Sequence, residues 1–362
     1  MRIYYATTKT YPASTADHIY IRELAKGFVA ASADFNLIVN RVGADLADIP
    51  TIQLHARGNK TLSFLVWLLI FRPGSRPGGE SVIIANDFNL LAVLVWCRKI
   101  FRFKYRIAAD LHMLSGTRKD KVAVGGSDIL ITTSDRLRSV VTERFPAVEG
   151  RIHTVHGGVD PALFASAAQR DKADIRRELG LPTAETLVGY VGLFKTMGMD
   201  KGIRTMIESA VGADETFVFV GGSTTEIAEY SGFAIAADVY EKCLFVARQD
   251  YAKVALYEKA MDVLVIPYPN EPHFTDYGFP MKVYEYLASG VPIVYSDLPI
   301  IDEVLQGVGE PFKAGDVASL RRAIDSALSS DAHRAVDVDD LSWKAKAAKI
   351  ADICTKVIAQ NQ

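Results

Sequence analysis

The stretch Gly278-Phe279-Pro280-Met281-Lys282-Val283-Tyr284-Glu285-Tyr286-Leu287-Ala288-Ser289-Gly290-Val291-Pro292-Ile293-Val294 sets a proline, a cation and a carboxylate at helical spacing. Pro280 suits the first position of a helix, where a missing N–H is no loss. Gly290 suits the residue just past the end, and Pro292 stops the helix there. The helix start then offers free backbone N–H groups and the positive end of a dipole, which together favour a phosphate. Glu285 falls one turn further in. Its two acceptor oxygens can hold two neighbouring hydroxyls, such as those of a ribose. Phosphate at the tip and ribose one turn in make a grip for a nucleoside diphosphate. An ordinary capped helix with an exposed glutamate satisfies the same spacing.

A second block, Val188-Gly189-Tyr190-Val191-Gly192-Leu193-Phe194-Lys195-Thr196-Met197-Gly198-Met199-Asp200-Lys201-Gly202, reads as a strand, a flexible loop and a helix opening at Lys201-Gly202. Gly192 lets backbone approach a ligand closely. Lys195 and Lys201 suit a pyrophosphate leaving group, because charge builds there as a sugar–phosphate bond breaks. Two solvated lysines on a surface loop are the other reading. In Asp110-Leu111-His112-Met113, His112 follows a strand and can donate to a sugar hydroxyl or polarise a reacting centre. A histidine with a purely structural hydrogen bond is its alternative.

These segments resemble the signature of retaining glycosyltransferases of GT-B fold and family-four type. Their pattern is Glu-Gly-Phe-Pro, four residues, a second Glu, then Ala-x-Gly-x-Pro-Val-Val. Glu285 matches the second glutamate and Ala288 to Val294 the tail, while Tyr277 stands in place of the first. The resemblance implies donor contacts from Tyr277, Gly278, Phe279, Pro280 and Met281, with Lys282 neutralising a phosphate as in variants reading Pro-x-Lys-x-x-Glu-Tyr. The second block is similar to the family's Tyr-Val-Gly-Arg loop ending in Lys-Gly. Lys201 matches its phosphate-binding lysine, Leu193 replaces the arginine, and Lys195 is the expected substitute.

Asp110-Leu111-His112 is similar to an acidic-x-His segment that faces the donor sugar. Val155-His156-Gly157-Gly158-Val159-Asp160 with Phe164 resembles the hinge segment Asn-Gly-Val-Asp…Phe, a turn and a hydrophobic anchor. The loop Thr7 to His18 lacks the family's glycines, so Tyr11, Asp17 and His18 are expected at the acceptor instead. Capping of the following helix is the other role open to Asp17. Arg248 and Tyr251 follow a strand and are expected near the base, whereas Gly221-Gly222-Ser223 reads as a tight turn.

Parallel sheets must position these residues. Short β-branched runs at Ile3–Ala6, Phe35–Val39, Val82–Ala85, Tyr105–Ala108 and Asp128–Thr132 alternate with helical patterns such as Ile19 to Ala31. A second series runs through Leu187–Val191, Phe217–Val220, Leu244–Val246, Val263–Ile266 and Pro292–Tyr295. Such alternation predicts crossover helices and parallel sheets, with ligands beyond the carboxyl ends of the strands. The expected fold class is α/β: a GT-B fold of two Rossmann-like domains facing a cleft. The expected domains are 1–165 for the acceptor and 166–335 for the nucleotide sugar. Residues 336–362 form a helix with Trp343 that the resemblance returns to the first domain.

The 362 residues suit two domains, and 49% hydrophobic with 23% charged residues makes disorder a poor reading. Cys97, Cys243 and Cys354 have no metal or redox spacing and fit a reducing compartment. The strand pattern begins at once, so no secretory leader is expected. The longest apolar run, Phe64 to Phe71, is too short to span a bilayer. The net charge of −2 hides an imbalance: residues 1–165 hold 21 Lys/Arg against 14 Asp/Glu. Arg98, Lys99, Arg102, Lys104 and Arg106, near Trp96, Phe101 and Phe103, make contact with an anionic membrane a reading alongside a solvated surface. No nucleic-acid module is present.

The resemblance implies transfer of a sugar, with retention, from a nucleotide-diphosphate sugar to a glycan or lipid-linked acceptor. The expected setting is polysaccharide or glycoconjugate synthesis in the cytoplasm, with peripheral membrane contact. No metal or other cofactor is expected, because no Asp-x-Asp pair stands out. His112, Lys201 and Lys195 are the expected catalytic groups. A nucleotide-sugar epimerase of the same fold and a silent sugar-nucleotide or glycan binder are the two alternatives. The first needs further carboxylates at the site, and any donor turnover excludes the second.

Overall fold

The computed structural model describes residues 1–11, 15–54, 60–74, 80–277, 281–330 and 336–359. Met1–Gly158, Tyr277–Phe279 and Asp340–Gln362 form one compact unit, and Val159–Asp276 with Pro280–Asp339 form another. Along the first run lie β1 (Arg2–Ala6), α1 (Ala16–Ala30), β2 (Phe35–Val39), β3 (Thr51–Gln53), α2 (Lys60–Phe71), β4 (Ser81–Ala85) and α3 (Phe88–Phe101). They are followed by β5 (Arg106–Leu111), α4 (Arg118–Gly126), β6 (Ile129–Thr132), α5 (Asp135–Arg144) and β7 (Ile152–Thr154).

These strands pair in parallel in the order β3-β2-β1-β4-β5-β6-β7. The order reverses at β1 and β4, the position where open sheets bind ligands. Right-handed crossovers put helices that run with opposite sense on opposite faces. Accordingly Phe64, Leu90, Ala123 and Leu137, one from each of α2 to α5, share one apolar cluster with Tyr4, Ile83 and Ile107 of the sheet.

The second unit opens with α6 (Pro161–Ala168) and α7 (Lys172–Leu179), then β8 (Leu187–Val191) and a hairpin of β9 (Lys195–Thr196) and β10 (Met199–Asp200). Next come α8 (Ile203–Glu208), β11 (Thr216–Gly222), α9 (Thr224–Ala236), β12 (Cys243–Ala247), α10 (Tyr251–Ala260), β13 (Val263–Ile266) and α11 (Pro272–Thr275). α12 (Met281–Ser289), β14 (Ile293–Ser296), α13 (Pro299–Leu305), β15 (Glu310–Phe312) and α14 (Val317–Ser329) complete it. The main sheet is parallel, ordered β12-β11-β8-β13-β14-β15, so its reversal lies at β8 and β13. α12 ends as its glycine requires, with Gly290 at φ 66°.

The last helix, α15 (Trp343–Ala359), packs on α1 within the first unit. Gly27 permits this: a β-carbon there would run into the Trp343 carbonyl oxygen. The hinge-like turn belongs to the same region. Gly158 donates its N–H to the Leu341 carbonyl at 2.7 Å, and Gly157 holds φ at 99°. The change of unit falls at Gly158 and Val159, ahead of the expected boundary at 165. α6 packs on α10 and α12, so its anchor Phe164 is buried in the second unit.

The strands at Thr51–Gln53, Ile152–Thr154 and Glu310–Phe312 were not legible, being three-residue edge strands too short to show alternation. Gly221 and Gly222 do not form the expected turn. They complete β11, because the Gly192 backbone and the Phe194 ring occupy the space where their side chains would stand.

Candidate functional site

The second unit gathers its polar groups at the carboxyl ends of β8 and β13. β8 runs out at Val191 into Gly192, whose φ of 142° suits glycine. The β9–β10 hairpin follows, and the Lys201 N–H returns to the Phe194 carbonyl at 3.0 Å. At Gly202 (φ 86°) a β-carbon would collide with the Pro267 carbonyl at the end of β13. Gly202 therefore lets the loop backbones after β8 and β13 meet at the sheet's reversal point. Asp200 accepts the Ile203 N–H at 2.7 Å, so the opening N–H of α8 is already satisfied.

Lys201 is half-buried, with its ammonium 5.8 Å from the centre of the Tyr268 ring. Burial, then the neighbouring Lys282 ammonium, push it down to about 7. A lysine near neutrality beside a second cation is an electropositive spot prepared for an anion. Lys195 has another setting: its ammonium lies 2.6 Å from Glu229, which also binds Arg204, and 5.6 Å from the Tyr230 ring centre.

Glu285 is buried one turn into α12, with Tyr251, the first residue of α10, as a polar neighbour that favours its charged form. Burial raises the carboxyl's pKa; Lys282 and the Tyr251 hydroxyl oppose that shift. Lys282 is equally buried. Its ammonium donates to the Val191 carbonyl and sits 4.6 Å from the Tyr190 ring centre and 5.6 Å from that of Tyr286. The cation expected on a phosphate thus supports the loop after β8.

Sequence reasoning missed Glu258 of α10. It is fully buried, its carboxylate oxygens accept no hydrogen bond among the described residues, and its charge interacts with Lys282 and Glu285. Burial and Glu285 hold its pKa well above the usual carboxylate range. Within α10 it reads as one charge on a mixed helix, and no spacing marks it.

Of the remaining expected donor residues, Arg248 is exposed after β12, its N–H bonded to the Gly222 carbonyl at 3.1 Å. Met281 opens α12. Tyr277 packs against the apolar cluster of the first unit. Gly278, Phe279 and Pro280 lie outside the described residues.

In the first unit, Asp110 and His112 stand at the end of β5. Asp110 is fully buried and accepts from the Tyr5 hydroxyl at 2.8 Å and the Tyr20 hydroxyl at 3.3 Å. His112 Nε2 lies 3.4 Å from Asp110 Oδ1, and its ring meets Tyr20 edge-on at 4.4 Å. His112 is thereby oriented and only partly exposed. The carboxyl stays below its ordinary pKa against the effect of burial, with His112 and Lys346 as the neighbours that lower it. Lys346, on α15, is also fully buried. It donates to the Val155 carbonyl, and burial pushes it down to about 8. Trp343 of the same helix meets the Tyr20 ring at 5.4 Å. The C-terminal helix thus supplies both a cation and a ring to the group that holds His112.

The three expected acceptor residues come together around the start of α1. Tyr11 is buried, donates to the His18 carbonyl at 3.2 Å and packs its ring 5.3 Å from the His18 ring. Asp17 pairs with Lys9 and accepts from Thr15, which carry its pKa down to about 2 although burial opposes them. Thr15 occupies the cap position and Asp17 the first turn, so Asp17 faces the helix dipole without capping it. Among the described residues no cluster of three or more His, Cys, Asp and Glu side chains is arranged to hold a metal ion.

Residues 171–338, which span most of the second unit, match the family described as Glycosyl transferases group 1. The chain is 26% identical over 194 residues to a glycosyltransferase of Bacillus subtilis (strain 168) assigned to teichuronic acid biosynthesis, covering 52% of this chain and 45% of that relative. It therefore spans about half the length of that relative. Among solved structures, sucrose-phosphate synthase from Thermosynechococcus elongatus superposes with a TM-score of 0.77 at 19% identity, covering 99% of each chain. HepE of Anabaena, in complex with UDP, superposes with a TM-score of 0.72 at 16% identity, covering 100% of this chain and 99% of that one. The fold is GT-B, and residues 171–338 carry the match to the group 1 glycosyltransferases.

Proposed function

We propose that the protein is a group 1 glycosyltransferase of family-four type that transfers a sugar from a nucleotide-diphosphate sugar to a glycan or lipid-linked acceptor, with retention and without a metal. The observation that carries this reading is Glu285, a buried carboxylate one turn inside α12 with Tyr251 as its polar neighbour and the depressed Lys201 ammonium at the same sheet reversal. Glu285 holds the ribose. Lys201 meets charge growing on the leaving diphosphate. The transition state is oxocarbenium-like, and His112, fixed by Asp110, contacts the sugar. Tyr11, Asp17 and His18 line the acceptor site. The work is done in the cytoplasm at an anionic membrane, in cell-surface polysaccharide or glycoconjugate synthesis. Solved HepE complexes with UDP and with UDP-glucose support the choice of donor.

Tyr277 in place of the first motif glutamate favours one other reading, a silent binder of sugar nucleotides. An epimerase needs further carboxylates at the sugar, and Glu258 is fully buried. Thermal shift with UDP, GDP and ADP sugars tests the donor grip, since a ligand at 100 times its Kd adds roughly 2.7 kcal/mol. Turnover of the stabilising sugar then separates transferase from binder. Absence of any shift with all three refutes the donor assignment.

A further inference from the structure

α2 and α3 pack side by side on one face of the first sheet, burying Phe64, Trp67 and Leu68 from one and Leu90, Leu91 and Leu94 from the other. Their outer sides remain apolar. Val66 and Ile70 lie one turn apart on α2, followed by Phe71. Trp96 and Ile100 lie one turn apart on α3, followed by Phe101. All six are exposed, Ile70 at 72%, Ile100 at 65% and Trp96 at 52%. Large exposed apolar residues gathered on two neighbouring helices mark a surface with a partner.

Charge identifies the partner. Residues 60–74 and 88–106 contain no Asp or Glu. Lys60, Arg72, Lys99, Arg102 and Lys104 are exposed around the face. The cluster expected from sequence is split: Arg98 is tied to Asp128 and the Gly126 carbonyl, and Arg106 lies 3.4 Å from Asp128. The exposed cations therefore rim the apolar face. A second copy docked by two-fold symmetry would set this positive rim against itself. An anionic lipid surface offers both an apolar interior and the opposite charge.

We propose that the outer face of α2 and α3 inserts into an anionic lipid monolayer, with Trp96 and Ile70 below the headgroups and the basic rim among them. This deepens the reading of a lipid-linked acceptor, on which it rests for its purpose and not for its geometry. Attachment is then mainly apolar. Salt slows recruitment by screening the rim, but it does not strip the protein from the surface.

Co-sedimentation and tryptophan fluorescence with vesicles of phosphatidylcholine and phosphatidylglycerol test this on the full chain. Trp67 and Trp343 are buried, so a blue shift on vesicle addition reports Trp96 and is lost in Trp96→Phe. The variant Val66→Ser/Ile70→Ser/Ile100→Ser is expected to bind about tenfold less. Lys99→Gln/Arg102→Gln/Lys104→Gln is expected to bind less at low salt only. Both are expected to keep the wild-type melting temperature and nucleotide binding, so failure of the donor reading registers separately. Three outcomes overturn the proposal. One is a wild-type protein that ignores anionic vesicles at low salt. Another is an apolar variant that binds like wild type. The third is a solution dimer that the apolar variant dissolves.

Discussion

The ammonium of Lys282 stands where a β-carbon on residue 192 would have to go. Gly192 and Lys282 are thus one device: the glycine leaves the gap, and the lysine fills it while donating to the carbonyl of Val191. Gly192→Ala meets both the lysine and a backbone at φ 142°. A loss of roughly 1–3 kcal/mol is expected from the backbone alone. Lys282→Met in the same chain removes the charged obstacle and should recover part of the loss. Urea denaturation of the two variants checks this, and a fully stable Gly192→Ala refutes it.

Glu285→Ala is expected to weaken nucleotide binding by more than about 1 kcal/mol, since hydrogen bonds to a charged group contribute about 1.5–3. Calorimetry with UDP and with uracil as control reads the ribose contribution. Equal affinity for UDP in wild type and variant would remove Glu285 from the site.

Lys201 ties the reaction to pH. Burial and Lys282 depress its pKa to about 7, so in the free protein the ammonium is present below that value and lost above it. The donor-saturated rate of Lys201→Ala should fall far more than its KM rises, because the charge it meets grows in the transition state. In wild type kcat/KM should decline as pH rises through about 7. Lys201→Arg, which stays charged, should move that decline upward. An unchanged profile in the arginine variant would assign the limb to another group.

Glu258 makes the opposite contribution to stability. Its folded carboxyl holds a proton that the unfolded chain releases above about 4.3, so the native state binds more protons in that range. Its contribution is greatest below the unfolded pKa and declines as pH rises toward the folded one. Glu258→Gln should therefore gain stability relative to wild type between pH 5 and 9. Melting curves across that range decide it; parallel curves would show that the carboxyl titrates normally.

Lys346 and Asp110 are predicted to be coupled across α15 and β5. Lys346→Met leaves a buried carboxylate without its nearby lysine, and Asp110→Asn leaves a buried ammonium. Each alone should destabilise, and the double variant by less than their sum, with a coupling of about 0.5–3 kcal/mol. Additive effects would show that the two charges do not sense each other.

The parallel sheets and the short helix that carries Glu285 were legible because each rests on local grammar: β-branched runs, a proline before a helix, a glycine after it. The contact of Lys282 with the Val191 carbonyl was not visible, because spacing reports that a cation sits in a turn, not which way it points. Glu258 and Lys346 were invisible for a related reason. Each sits in a helix with other charges, in Tyr257-Glu258-Lys259 and Lys344-Ala345-Lys346, and only packing decides which member is fully buried. The acid-free apolar face was half visible. The sequence holds the aromatic and basic residues of α3, but not that α2 lies beside it.

The packing of α15 on α1 also sets an order of events during synthesis. Gly158 emerges from the ribosome about 190 residues ahead of Lys346, an interval of roughly 10–40 s at the usual elongation rate. Through that interval Asp110 has Tyr5, Tyr20 and His112 to face, but no buried lysine, and Gly27 has an open notch in place of a helix. The half of the protein made first is the half completed last. A chain truncated before residue 343 should hold a formed second sheet while the first remains open to protease along α1.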